Sequence, residues 1–173
     1  MSGRPAVVLN ALMRRPWFSL QPVDETFFTT APVVLRGVFD ITRPAPEVWA
    51  DQVADNPLAW CRILKRIDWT SPAPYGVGTT RTASALGGAN VLHERFFLWE
   101  EGRRMSFHVV EASVPFFTRF AEDYVVEPIA EGSCRFTWTI ALEPSAVGKP
   151  GVPLNKRLLG TLFSDTRKHY AAG

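Results

Sequence analysis

The sequence predicts an α+β domain: a curved antiparallel sheet of about seven strands wrapped around one long C-terminal helix. Three observations lead there. Apolar and polar residues alternate through most of residues 33–142, turn-forming residues break that alternation at short intervals, and the final segment changes to helical spacing.

Residues 1–30 are rich in Pro, Arg and scattered aromatics without a sustained period, and read as an N-terminal arm on a single domain spanning 31–173. From 33 to 41, Val33, Leu35, Phe39 and Ile41 alternate with Arg36 and Asp40, the pattern of a half-buried strand. Pro44 and Pro46 stop that strand and start a helix, because the missing proline N–H costs nothing in a first turn. Asn56-Pro57 repeats the signal with an N-cap and a following proline, so two short helices are expected after the first strand. Six further strands follow over 63–69, 77–86, 89–99, 103–112, 119–129 and 134–142. Their joints, among them Gly87-Gly88, Glu100-Glu101-Gly102 and Glu131-Gly132-Ser133, suit chain reversal and make the sheet an antiparallel meander. Beyond Pro153, Leu154, Leu158 and Leu162 fall at i, i+4 and i+8, giving a helix of roughly 18 residues and about 27 Å.

Hairpin arithmetic then assigns faces. A Gly87-Gly88 turn sets Arg81 across from Glu94, and a link over 100–103 sets Phe96 across from Phe107 and Leu98 across from Met105. A link over 128–134 sets Tyr124 across from Trp138 and Glu122 across from Ile140. The aromatic face must be covered, and one amphipathic helix is available to cover it. Seven curved strands enclose more volume than one helix fills, and an unpaired buried carboxylate is costly, so the expectation is a cavity part apolar and part wet. Trp60, Phe96, Phe107, Phe120, Tyr124, Trp138, Leu158 and Leu162 are its candidate walls. Arg81, Glu94 and Glu122 are the candidates for fixing polar groups of a ligand, unless Arg81 and Glu94 form a structural ion pair. Phe116, in the apolar stretch 114–117, belongs to a lid over the cavity mouth or to a docking loop.

The remaining composition removes several function classes. The formal net charge is +2 with acids and bases interspersed, and the basic groups come as pairs such as Arg14-Arg15 and Arg103-Arg104, so no nucleic-acid surface is expected. The apolar run Ala6 to Leu9 is too short for a signal-peptide core or a membrane span, which makes a cytoplasmic location the expectation. Cys61 and Cys134 lack a CxxC or Cys/His spacing and read as reduced core residues. His93, His108 and His169 form no paired-ligand pattern, so neither metal nor cofactor is expected, and the chain is read as a monomer or homodimer.

The order of strand, short helices, six strands and long helix resembles the helix-grip fold of the SRPBCC superfamily, the START, Bet v 1 and polyketide cyclase/dehydrase group. The resemblance covers about residues 31 to 171. It is carried by Pro44-Ala45-Pro46-Glu47-Val48-Trp49, by 75–81 (Tyr75-Gly76-Val77-Gly78-Thr79-Thr80-Arg81), by Leu92-His93-Glu94-Arg95, and by the stretches 99–105 and 122–128. It implies an internal cavity for a lipid, steroid, hormone or polyketide, and in some members cyclisation or dehydration of the ligand. Three function classes follow. The first is non-covalent binding or transport of a hydrophobic or aromatic ligand. The second is a polyketide cyclase, aromatase or dehydratase in which Glu122 or Glu94 acts as general base and Tyr124 or Arg81 stabilises an enolate. The third is a ligand-responsive protein-interaction module. No nucleophile with an adjacent base is readable, since Ser84, Ser106 and Ser113 lack a GxSxG context and His93 and His108 fall on the outer face.

Overall fold

A computed structural model describes residues 15–172, so the first fourteen residues of the expected arm lie outside the described part. Strand β1 (Phe18–Ser19) and the single-turn helix α1 (Phe27–Thr30) precede β2 (Val33–Ile41) and α2 (Ala45–Gln52). Strands β3 (Leu64–Trp69), β4 (Thr80–Ala85), β5 (Asn90–Glu100), β6 (Arg104–Ala112), β7 (Phe117–Ala130) and β8 (Ser133–Pro144) then lead to α3 (Val152–Ala171). Seven strands run antiparallel in the order β2-β8-β7-β6-β5-β4-β3, and β1 adds to the end of β6. Only β2 departs from the meander, pairing with β8 from Val33↔Leu142 to Ile41↔Cys134. That closure curls the sheet into a half-barrel around α3.

The second expected short helix is a run of turns. Leu58 sits there in the left-handed region at φ 59°, a conformation through which no right-handed helix propagates, and its side chain is buried in the core. The hairpins follow the predicted registers except where bulges interrupt β5, one between His93 and Glu94 and one near its end. Arg81↔Glu94, Phe96↔Phe107 and Tyr124↔Trp138 are partners, but a bulge between Phe96 and Leu98 shifts the pairing by one near the turn. Trp99 therefore pairs with Met105 and joins the aromatic core beside Trp69 and Phe96, while Leu98 lies opposite Ser106 instead of facing inward.

Helix α3 lays Leu162, Thr166 and Tyr170 into the concave face at i, i+4 and i+8. Its C-terminal half is clamped by polar bonds. Asp165 accepts from the Arg62 backbone N–H at 2.9 Å, Thr166 Oγ1 accepts from Trp60 Nε1 at 3.0 Å, and Gln52 Nε2 donates to the Tyr170 hydroxyl at 3.1 Å. Its N-terminal half has no side-chain hydrogen bond to the sheet among the described residues. The convex side is covered by the segment before β2. Phe27 and Phe28 of α1 pack on Ala121, Ala141 and Phe97, and Glu25 bonds Arg104, which also bonds Asp123. Trp17 stacks on His93 at 4.2 Å. Both cysteines are buried and free, and burial pushes the Cys61 thiol up to about 12.

Candidate functional site

Between the concave face and the N-terminal half of α3 lies a hollow of about 100 Å³. Inward positions of β4, β5, β7 and β8 bring Arg81, Glu94, Phe120, Glu122, Tyr124 and Trp138 to it, because side chains two apart on a strand share a face. Leu158 and Leu162 close it from α3, Phe116 from the loop before β7, and Phe117 from the first position of that strand. Leu86 is 46% exposed and Phe116 38% exposed, yet both border the hollow, so its mouth lies between them. The loop at this mouth is tied down: the Phe116 carbonyl accepts from Ser145 N–H at 2.9 Å, and a side chain at Gly148 would meet that same carbonyl at 2.0 Å.

Three expected wall residues stand elsewhere. Phe96 and Phe107 sit behind Arg81, whose guanidinium carbon lies 5.1 Å and 4.4 Å from their ring centres, and both are sealed in the core. Trp60 lies outside the hollow, stacked on His169 at 4.0 Å, because the turn at Leu58 aims it past the far side of α3. Ile63, Ile67 and Asn90 do reach the wall without having been singled out from the sequence, and so does Asn155. Ile67 was accessible in principle, since it pairs with inward Ala83. His93 and His108 occupy the convex side, as the register requires, with His93 beside Glu111 and His108 beside Phe97.

The polar centre holds one cation and two carboxyl groups. Arg81 is 1% exposed and donates through Nε to Glu94 Oε2 at 2.5 Å, and Glu94 is 4% exposed. Four aromatic rings surround that guanidinium, those of Trp69, Phe96, Phe107 and Tyr124, which supplies cation–π attraction in place of water. Its Nη1 is sealed from solvent and has no hydrogen-bond partner among the described residues. Burial opposes the Arg81 charge, but the Glu94 carboxylate outweighs it and holds the guanidinium pKa above its ordinary value. Burial likewise pushes the Glu94 carboxyl upward against the pull of Arg81.

Glu122 is 7% exposed and accepts two bonds on one oxygen: Oε2 takes the Tyr124 hydroxyl and the Trp138 indole N–H, each at 2.8 Å. Burial, helped by repulsion from Glu94, raises its pKa to about 7 despite those bonds and the attraction of Arg81. Tyr124 is pushed well above its ordinary range by burial and by the Glu122 carboxylate, so it stays a donor. The arrangement is a desolvated carboxyl that exchanges its proton near neutral pH, in a mostly apolar chamber beside a paired guanidinium. No helix among the described residues is long and apolar enough to cross a membrane.

Comparison with known proteins agrees with this geometry. Residues 32–168 match the model of the family described as polyketide cyclase / dehydrase and lipid transport. An uncharacterized protein of Mycobacterium tuberculosis is 37% identical over 145 residues, covering 82% of this chain and 84% of its own, and one of Mycobacterium bovis matches equally. Among solved structures, a START superfamily protein from Mycobacterium smegmatis superposes with a TM-score of 0.61 at 13% identity, over 80% of this chain and 97% of that one. Ginseng major latex-like protein 151 from Panax ginseng gives 0.55 at 16% identity, over 80% and 97% of the two chains. These likenesses establish the helix-grip fold, and with a family match spanning residues 32–168 the chain belongs to the polyketide cyclase / dehydrase and lipid transport family of the SRPBCC superfamily.

Proposed function

We propose that the protein binds a small, largely apolar molecule in the hollow under α3, and that it carries this molecule without altering it. The observation behind this is a chamber with apolar walls into which Arg81, Glu94 and Glu122 are directed while buried from bulk water. Buried charges of this kind are costly to desolvate and add little to stability, so recognition of a polar group on an apolar body is the use proposed for them.

The present hollow of about 100 Å³ lies below the roughly 300–1,000 Å³ of common ligand pockets and takes at most a small single-ring molecule. A lipid-sized molecule would need the wall to open, and the wall is weakest where α3 lacks polar bonds, from Leu154 to Leu159. Anchors at Asp165, Thr166 and Tyr170 favour a hinge at the middle of the helix. Native mass spectrometry of the purified protein tests the proposal: a bound mass released by organic solvent supports it, and an apo mass with no uptake from an added lipid and polyketide mixture opposes it.

A second reading, an enzyme of the cyclase or dehydratase type, is favoured by the Glu122 carboxyl alone, whose pKa of about 7 suits a general acid or base. Glu122→Gln and Glu94→Gln separate the two. Altered affinity with unchanged ligand chemistry supports carriage, whereas retained binding with lost turnover supports catalysis.

A further inference from the structure

We infer that the ligand held in the hollow presents an uncharged oxygen acceptor, a ketone or similar carbonyl, to Arg81 and Glu122, and that carboxylates and amines are excluded. This rests on the binding proposed above and specifies its chemistry.

The inference follows from counting donors and charges on the wall. Arg81, Glu94, Glu122 and Tyr124 are its ionisable residues, so one cation faces two carboxyl groups. Glu94 already occupies the Nε of that cation at 2.5 Å. A ligand carboxylate would bring a third carboxyl group against a single guanidinium, in a medium where unpaired charge is expensive. A protonated amine would meet the guanidinium with like charge and offer it no acceptor, and with Glu122 protonated it finds no free counter-charge on the wall.

Glu122 points the same way. Its Oε2 receives both Tyr124 Oη–H and Trp138 Nε1–H, and the indole has no capacity to accept in return. With the lone pairs of Oε2 taken, a proton on this carboxyl resides on Oε1, where it is a donor toward the hollow. Oε1 has no hydrogen bond among the described residues. The chamber thus offers two donor groups, the Arg81 guanidinium and Oε1–H, and neutral charge when Glu122 carries its proton. A carbonyl oxygen satisfies both without adding charge, and the rest of the ligand meets Ala83, Leu92, Phe120 and Leu162.

The test compares four single-ring probes at about pH 6: acetophenone, its near-isostere benzoate, ethylbenzene and benzylamine, titrated while the Trp138 indole N–H resonance is followed by NMR. Acetophenone is expected to bind at least tenfold more tightly than each of the others, and Glu122→Met to remove most of that preference. Benzoate, benzylamine or ethylbenzene binding as tightly as acetophenone overturns the inference and leaves the apolar cavity standing. Binding of none of the four overturns the cavity as a ligand site and the inference with it. A preference that persists undiminished in a folded Glu122→Met protein also overturns it, and if that variant does not fold, the ranking in the unaltered protein decides.

Discussion

Replacing Glu122 by Gln removes one titrating group from the chamber while keeping its shape, and the effect is read as a change in how stability depends on pH. The ordinary carboxyl value of 4.5 becomes about 7 in the fold. A carboxyl whose pKa rises on folding keeps its proton in the native state after the unfolded chain has released it. Its contribution is complete below the unfolded value and is lost as pH climbs through the folded one. The full shift corresponds to about 3 kcal/mol, of which about 2.5 kcal/mol falls between about pH 5 and about pH 8. Urea unfolding of both proteins across that range cancels the other titrating groups, which the two share. The unaltered protein is expected to lose about 2.5 kcal/mol relative to Glu122→Gln as pH rises, at constant m value. Parallel curves would refute the reasoning, because they would mean that Arg81 and the two donors on Oε2 keep Glu122 ionised in the fold.

Three further perturbations probe other parts of the molecule. Arg81→Met strands the buried Glu94 carboxylate and is expected to cost about 3–5 kcal/mol in urea unfolding, most of it recovered when Glu94→Leu is added; equal stability of the single and double variants would contradict the ion pair. Gly37→Ala places a Cβ 2.7 Å from Phe39 and 2.8 Å from Phe163, so it is expected to lower stability by about 1–3 kcal/mol although alanine suits a strand interior better than glycine. Phe28→Ala empties the contact of α1 with Ala121 and Ala141 and is expected to cost about 3–5 kcal/mol, whereas a loss below about 1 kcal/mol would show that the convex side does not need its cover.

The parts of this fold that are legible in the sequence are those fixed by parity. Once a turn is located, every cross-strand partner follows by subtraction, which is why Arg81 meets Glu94 and Tyr124 meets Trp138. One inserted residue defeats the same arithmetic: the bulge after Phe96 turns Leu98 outward and brings Trp99 into the core, and no single residue type near Phe97 announces it. Leu58 shows a second limit, for a bulky residue at positive φ is unfavourable locally and is held there by burial, a tertiary effect. The turn it makes moves Trp60 off the chamber wall. Phe27 and Phe28 carry no period because α1 is a single turn, and their burial becomes visible only beside the small residues Ala121 and Ala141. Asn155 reaches the mouth through the placement of α3, which helical spacing alone does not determine.

Crystals of the protein held under xenon pressure probe the hollow itself, because an open space of this size with apolar walls accepts the gas whereas packed side chains do not. Xenon density is predicted among Ala83, Phe120 and Leu162, within reach of the Glu122 carboxyl. Density elsewhere only, with Leu158 and Leu162 packed directly onto Tyr124 and Trp138, would contradict the existence of a ligand chamber.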